Sequence, residues 1–326
     1  MLPKTFLIVL LFVSSLNLTN LPAQDSGCAT RTVPVSVVDE QWLPVQGLSA
    51  ANFRGKLRGR DLEILSASID TRPRRIVLLL DASGSMIEEG WEDAKSLSED
   101  LIRFAPAGAS IAQMGFSDAV LDTAGFDQDR LALLKRLAAL AKVCEQPRKT
   151  RQTALFDAIA SARGTLDVPE FGDVIYVVTD AGDNKSRTEP KRVAEDLLRA
   201  GVRLFAVVVA YASRDRGRRV SGDEDPERLL SVVIATGGNV LAFPYVATSQ
   251  PYPYIKAKTR ADAVGLALQR FYQQMGKFYR LDLSLPATVS KPTEWNLEVI
   301  GANGKPNRRV EVRYPQRLMP CAGASP

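Results

Sequence analysis

The chain has 326 residues, enough for one large domain or two ordinary ones, and its 45% apolar and 24% charged residues are the balance of a globular protein. A formal net charge of +5 is dispersed rather than gathered into a basic stripe, which argues against nucleic-acid binding. The absence of histidine removes the usual general base and the commonest transition-metal ligand, and three cysteines without a Cys-x-x-Cys pair argue against a structural zinc site.

Residues 1–24 read as a secretory signal peptide, with a positive charge at Lys4, an apolar core over 6–13 and a small-residue exit near Ala23. That core is too short to cross a bilayer as a mature helix, although an uncleaved anchor is the alternative reading. Asp25-Ser26-Gly27 before Cys28 lacks the aliphatic residue of a bacterial lipobox. The expected location is therefore periplasmic or secreted, with no membrane-spanning segment in the mature chain. Disulfides persist in such compartments. A Cys28–Cys321 bridge would tie the mature ends together, three free thiols are the alternative, and the odd count leaves at least one cysteine unpaired.

Residues 32–38 alternate around Val33, Val35 and Val37, the period of a half-buried strand, and residues 62–69 supply another. Between them, residues 44–53 read as a loop and a helical turn. From Arg75 onward, near-continuous apolar strands alternate with amphipathic helices. Strands are expected at 76–80, 110–116, 119–123, 174–179, 202–210 and 240–243. Helices are expected at 91–104 (Ala94, Leu97, Leu101 and Phe104 on one face), 129–142 (through Leu131 and Leu134, capped by Asp129), 153–162, 190–200, 229–235 and 261–278. This pattern predicts a doubly wound, mostly parallel α/β sheet with helices on both faces. After Phe278 the period falls to two, through Tyr279, Leu281 and Leu283, then Trp295, Leu297 and Val299, then Val310 and Val312. The expected division is an N-terminal β segment over 25–72, an α/β domain over 73–279 and a C-terminal β segment over 280–326. The two flanks are expected to pack together as a small β-sandwich.

The chemistry concentrates in three places. Asp81-Ala82-Ser83-Gly84-Ser85 ends the apolar run at 76–80, and alternate residues of an extended chain converge, so Asp81, Ser83 and Ser85 face one point. Thr153 sits on a loop at a helix start, and Asp180 ends the apolar run at 174–179. Hydroxyl and carboxylate oxygens suit hard cations such as Mg²⁺. Each group also has a plainer role: Ser83, Ser85 and Thr153 as helix caps, Asp180 as a turn residue. Asp118, Arg151, Asp183 and Asn184 lie on loops that border the same region.

Asp-x-Ser-x-Ser, a loop Thr and a strand-terminal Asp, in that order, resemble the metal-ion-dependent adhesion site of von Willebrand factor type A domains. The flanks, with Val45-x-Gly47-Leu48, Phe53 and a β tail closing on Arg313-Tyr314, are similar to a group of exported bacterial proteins carrying such a domain. The resemblance implies that Asp81, Ser83, Ser85, Thr153 and Asp180 hold Mg²⁺, or Mn²⁺ or Ca²⁺, and that an Asp or Glu of a protein partner fills an open position. The sequence departs from that pattern at Arg151-Gln152 and at Ala181, where the family carries glycines. An enzyme is the rival class, but there is no His for a triad and no Gly-x-Ser-x-Gly, P-loop or dinucleotide motif. The other alternative is an envelope scaffold whose contacts are metal-independent and whose adhesion site is vestigial.

Overall fold

The structure is a computed structural model that describes residues 29–144, 152–209, 226–243 and 260–321. In chain order, β1 (Thr30–Asp39), β2 (Phe53–Leu57) and β3 (Arg60–Asp70) come first. They are followed by β4 (Arg75–Asp81), α1 (Gly84–Glu89), α2 (Trp91–Phe104), β5 (Ser110–Phe116), β6 (Val120–Ala124) and α3 (Arg130–Cys144). Next come α4 (Leu155–Thr165), β7 (Val174–Thr179), α5 (Pro190–Ala200), β8 (Arg203–Val209), α6 (Pro226–Ala235), β9 (Val240–Phe243) and α7 (Arg260–Gly276). The chain then returns to strands with β10 (Phe278–Ser284), β11 (Thr293–Val299), β12 (Val310–Arg313) and β13 (Arg317–Leu318).

Six strands form one sheet in the order β6-β5-β4-β7-β8-β9. Its central strands are buried on both faces: Leu78 and Leu80 point into one core with α2, α3 and α7, while Val77 and Leu79 point into another with α4, α5 and α6. The doubly wound, mostly parallel sheet expected from the sequence is overturned, because this sheet is mixed: β6 pairs antiparallel with β5. Only residues 117–119 separate those two strands, and so short a connection permits a hairpin but no parallel crossover. Two helix faces also differ from the periodicity. Phe104 of α2 is 65% exposed, and α3 buries Leu133, Leu137 and Leu140 while Leu131 faces out. A helix as apolar as α3 satisfies the 3.6-residue period on more than one face.

The flanks correct a second expectation. They do not stack as a β-sandwich but join edge to edge in one seven-stranded antiparallel sheet, β12-β1-β10-β3-β2-β11-β13, that curls into a half-barrel. One ladder, with a register shift between Asp282 and Leu283, runs from Asp70 opposite Phe278 to Glu63 opposite Ser284, so N- and C-terminal strands share a layer. Their alternating apolar residues, among them Val35, Leu57, Leu281, Trp295 and Leu297, meet in one core on the inner face.

Where the chain passes between the sheets, the Phe278 ring is flanked by two guanidinium groups, Arg74 at 4.5 Å and Arg203 at 4.0 Å from its centroid. Buried Arg74 pairs with Asp70 at 2.7 Å. Arg203, fully buried, donates to the carbonyls of Gln274 (3.3 Å) and Met275 (2.7 Å), acceptors that the last turn of α7 leaves open. Burial and, next, the charge of Arg74 pull the Arg203 pKa down to about 9, so it stays charged at neutral pH. The start of β4 is thereby fixed, and its other end carries the site.

Candidate functional site

Asp81 ends β4 with no surface exposed. Its Oδ1 accepts the Ser83 backbone N–H at 2.9 Å and its Oδ2 accepts the Thr179 hydroxyl at 2.6 Å. Ser83 occupies the position before α1 in extended conformation, yet its side chain makes no capping bond; its Oγ lies 3.2 Å from Ser85 Oγ. The simple helix-cap role for Ser83 is therefore not realised, and the two hydroxyls sit side by side above Asp81.

Asp180 follows β7, the neighbour of β4 in the sheet. Its Oδ1 accepts the Gly182 N–H at 2.9 Å, whereas its Oδ2 is buried with no hydrogen-bond partner among the described residues. Burial and then the nearby Asp180 charge push the Asp81 carboxyl up to about 7, against the opposing hydrogen bonds from Thr179 and Ser83. Two buried carboxyl groups thus lie close enough for the charge of one to disfavour ionisation of the other. The next residue, Ala181, has φ +68, the left-handed region that glycine enters at little cost. The backbone turn expected of a glycine is present, and here an alanine bears it.

Thr153 is buried at the start of α4, but the position before the helix belongs to Ala154, so Thr153 is not the cap. The β7–α5 loop holds it instead. Asn184 Oδ1 accepts the Thr153 N–H at 2.9 Å, and the Asn184 and Lys185 N–H groups both donate to the Thr153 carbonyl at 3.0 Å. Asp183 accepts the Leu155 N–H at 3.0 Å, and Ser186 accepts that of Phe156 at 2.9 Å, so the open end of α4 is capped from another loop. Ala154 N–H donates to the Ser117 carbonyl and Ala82 N–H to the Phe116 carbonyl, which ties in the β5 end.

The structure therefore gathers Asp81, Ser83, Ser85 and Asp180 at the carboxyl ends of β4 and β7, with the Thr153 loop laced to the β7–α5 loop that follows Asp180 and to the end of β5. Asp183 and Asn184 serve the lacing, Asp118 is exposed on the β5–β6 turn, and Arg151 lies outside the described residues. Thr179 was not foreseen. Its signal was a hydroxyl interrupting the apolar run directly before Asp180. Among the described residues no group of three or more His, Cys, Asp or Glu converges, so a cation here would depend on hydroxyl oxygens beside two carboxylates. That donor set suits a hard cation such as Mg²⁺.

Residues 76–244, a little over half of the chain, match the von Willebrand factor type A domain family. The chain belongs to that family. Comparison with curated proteins found no relative. Among solved structures, the chain is similar to the conserved hypothetical protein BatB from Bacteroides thetaiotaomicron, with 15% identity, a TM-score of 0.42, and coverage of 61% of this chain and 98% of that one. It is also similar to proximal thread matrix protein 1 from the mussel byssus, with 16% identity, a TM-score of 0.45, and coverage of 65% and 49%. A third is a von Willebrand factor type A protein from Catenulispora acidiphila, with 12% identity, a TM-score of 0.42, and coverage of 90% and 74%. Proteins of this fold are generally non-catalytic adhesion or structural modules that make protein–protein contacts. No helix among the described residues is long and apolar enough to cross a membrane.

Proposed function

We propose that this chain is an exported, non-enzymatic protein-binding module in which Asp81, Ser83, Ser85, Thr153 and Asp180 hold a divalent cation, Mg²⁺ or else Mn²⁺ or Ca²⁺. The partner is a protein that presents an Asp or Glu to that cation. One observation carries the reading: Asp180 Oδ2 is a buried acceptor without a partner among the described residues, beside an Asp81 carboxyl that burial and Asp180 push up to about 7. Such an arrangement is costly by itself and is relieved by a cation. When bound, the cation would supply a positive centre for an incoming carboxylate; the chain's own residues position it and exclude water from below. Export accords with the signal-peptide pattern at 1–24, and an exported compartment permits the disulfide in which Cys321 takes part.

A second reading has an observation of its own. The loops are already joined by direct hydrogen bonds through Asp183, Asn184 and Ser186, so they need no cation to hold their shape. That favours a metal-independent scaffold with a vestigial site. Pull-down from an envelope extract separates the two. Capture by the wild-type chain in Mg²⁺ but not in EDTA, and lost with Asp180→Ala, is expected; partners retained in EDTA would establish the scaffold instead.

A further inference from the structure

A cavity of about 670 Å³ opens between α2 and α7, lined by Asp100, Phe104, Pro106, Leu268 and Tyr272. That volume is in the range of roughly 300–1,000 Å³ that small organic ligands occupy. Gly265 of α7 also lines it, and a Cβ there would meet nothing within 4 Å. A glycine inside a helix costs about 1 kcal/mol relative to alanine, and no close packing requires this one; its effect is to keep the cavity open.

The polar groups give the cavity a sign. No hydrogen bond or ion pair reaches the Asp100 carboxylate among the described residues, and burial, then the Glu99 charge, raises its pKa against the pull of Arg103. Tyr272 lies against Tyr176, ring centroids 6.1 Å apart, and its hydroxyl donates to the Leu97 carbonyl at 3.3 Å. Burial raises the pKa of both tyrosines, and the Asp100 charge adds a smaller push in the same direction. Of the cations in the lining, Arg72 is committed to Asp70 through a bidentate contact, and Lys277 is exposed. Phe104, meanwhile, offers an uncovered aromatic face.

We propose that this cavity binds an organic cation, a protonated amine on an aromatic or branched aliphatic body, with the ammonium on the Asp100 carboxylate and the body against Phe104, Pro106 and Leu268. An unpaired carboxylate beside apolar walls attracts a cation with an apolar body and rejects an anion of the same shape. The Phe104 ring adds a cation–π surface. This site is separate from the strand-end carboxylates and stands whether or not those hold a metal.

The test is calorimetric titration of the mature full-length chain in EDTA with 2-phenylethylamine and, in parallel, with 3-phenylpropionate. Saturable binding of the amine is expected, with the carboxylate at least about tenfold weaker, and Asp100→Asn weakening the amine by about tenfold. Gly265→Met fills the cavity while improving helix propensity, so it should abolish binding without lowering the thermal midpoint. Equal binding of the two probes, an unchanged affinity in Asp100→Asn, or no saturable binding of the amine at millimolar concentration would each overturn the proposal.

Discussion

In the antiparallel sheet, carboxylates are surrounded by donors. Burial works against the Asp70 anion, but hydrogen bonds from Arg72 and Arg74 outweigh it and hold the carboxyl well below its ordinary range. Hydrogen bonds from the Thr32 and Ser66 hydroxyls lower Asp282 in the same way. At the carboxyl end of the mixed sheet the balance reverses, and burial together with Asp180 drives Asp81 up to about 7. One sheet settles its charges internally. The other leaves a deficit of positive charge at one end, the end that the proposed function uses for binding.

The comparison can be broken most forcefully in the cores. In the mixed sheet both strand faces are buried, so Leu78→Ala and Leu79→Ala, which open cavities on opposite faces of β4, should each cost about 2–5 kcal/mol in urea unfolding. In β11 the cost should alternate: Leu297→Ala in the same range, and outward-facing Asn296→Ala within about 0.5 kcal/mol. A large loss at Asn296 would mean that a second layer covers the antiparallel sheet.

A pH series sharpens the electrostatic half. Asp81 has a raised folded pKa, so its contribution to stability is present below the ordinary carboxylate pKa and is lost as pH rises toward about 7. Asp70 and Asp282 have depressed pKa values, so their contributions are present above the ordinary carboxylate range and are lost as pH falls below it. Without divalent metal, the thermal midpoint should therefore peak in mildly acidic solution and fall toward pH 8. Mg²⁺ should restore it at pH 8 and do little at pH 5, where protons occupy Asp81; Asp81→Asn should abolish both effects. A midpoint indifferent to Mg²⁺ at pH 8 would remove the cation from the account.

The smallest expected effect concerns Ala181. A side chain at φ +68 costs on the order of 1 kcal/mol, so Ala181→Gly should raise the thermal midpoint by a few degrees. A lower midpoint would show that the Ala181 methyl, buried in the core with Leu155 and Val177, is worth more than the strain.

Local signals carried far in some places and failed in others for definite reasons. The strands Ser110–Phe116 and Val174–Thr179 and the helices Trp91–Phe104 and Pro190–Ala200 were legible to the residue, because their apolar periods are strong and their ends are marked by charge, Pro190 or Gly201. The strand Phe53–Leu57 was missed because Gly55 stands at its centre and only two large apolar residues mark its period. The single antiparallel sheet was illegible because alternation fixes which face of a strand is buried but not which strand lies beside it. At the site, the strand-end oxygens could be placed from spacing alone. Their dependence on Thr179, and the use of Asp183 and Ser186 to cap α4, arise from contacts across about thirty residues or more that no local pattern records.

Asp70 and Phe278 face each other in one ladder, so the chain leaves the antiparallel sheet and re-enters it at a single point. Topologically, the mixed sheet and its helices are spliced into a hairpin between β3 and β10. The consequence is mechanical. A partner held at the far end of β4 would pull on two adjacent strands from the same end, and in that geometry ladder hydrogen bonds yield one after another, as a zipper does, rather than all at once.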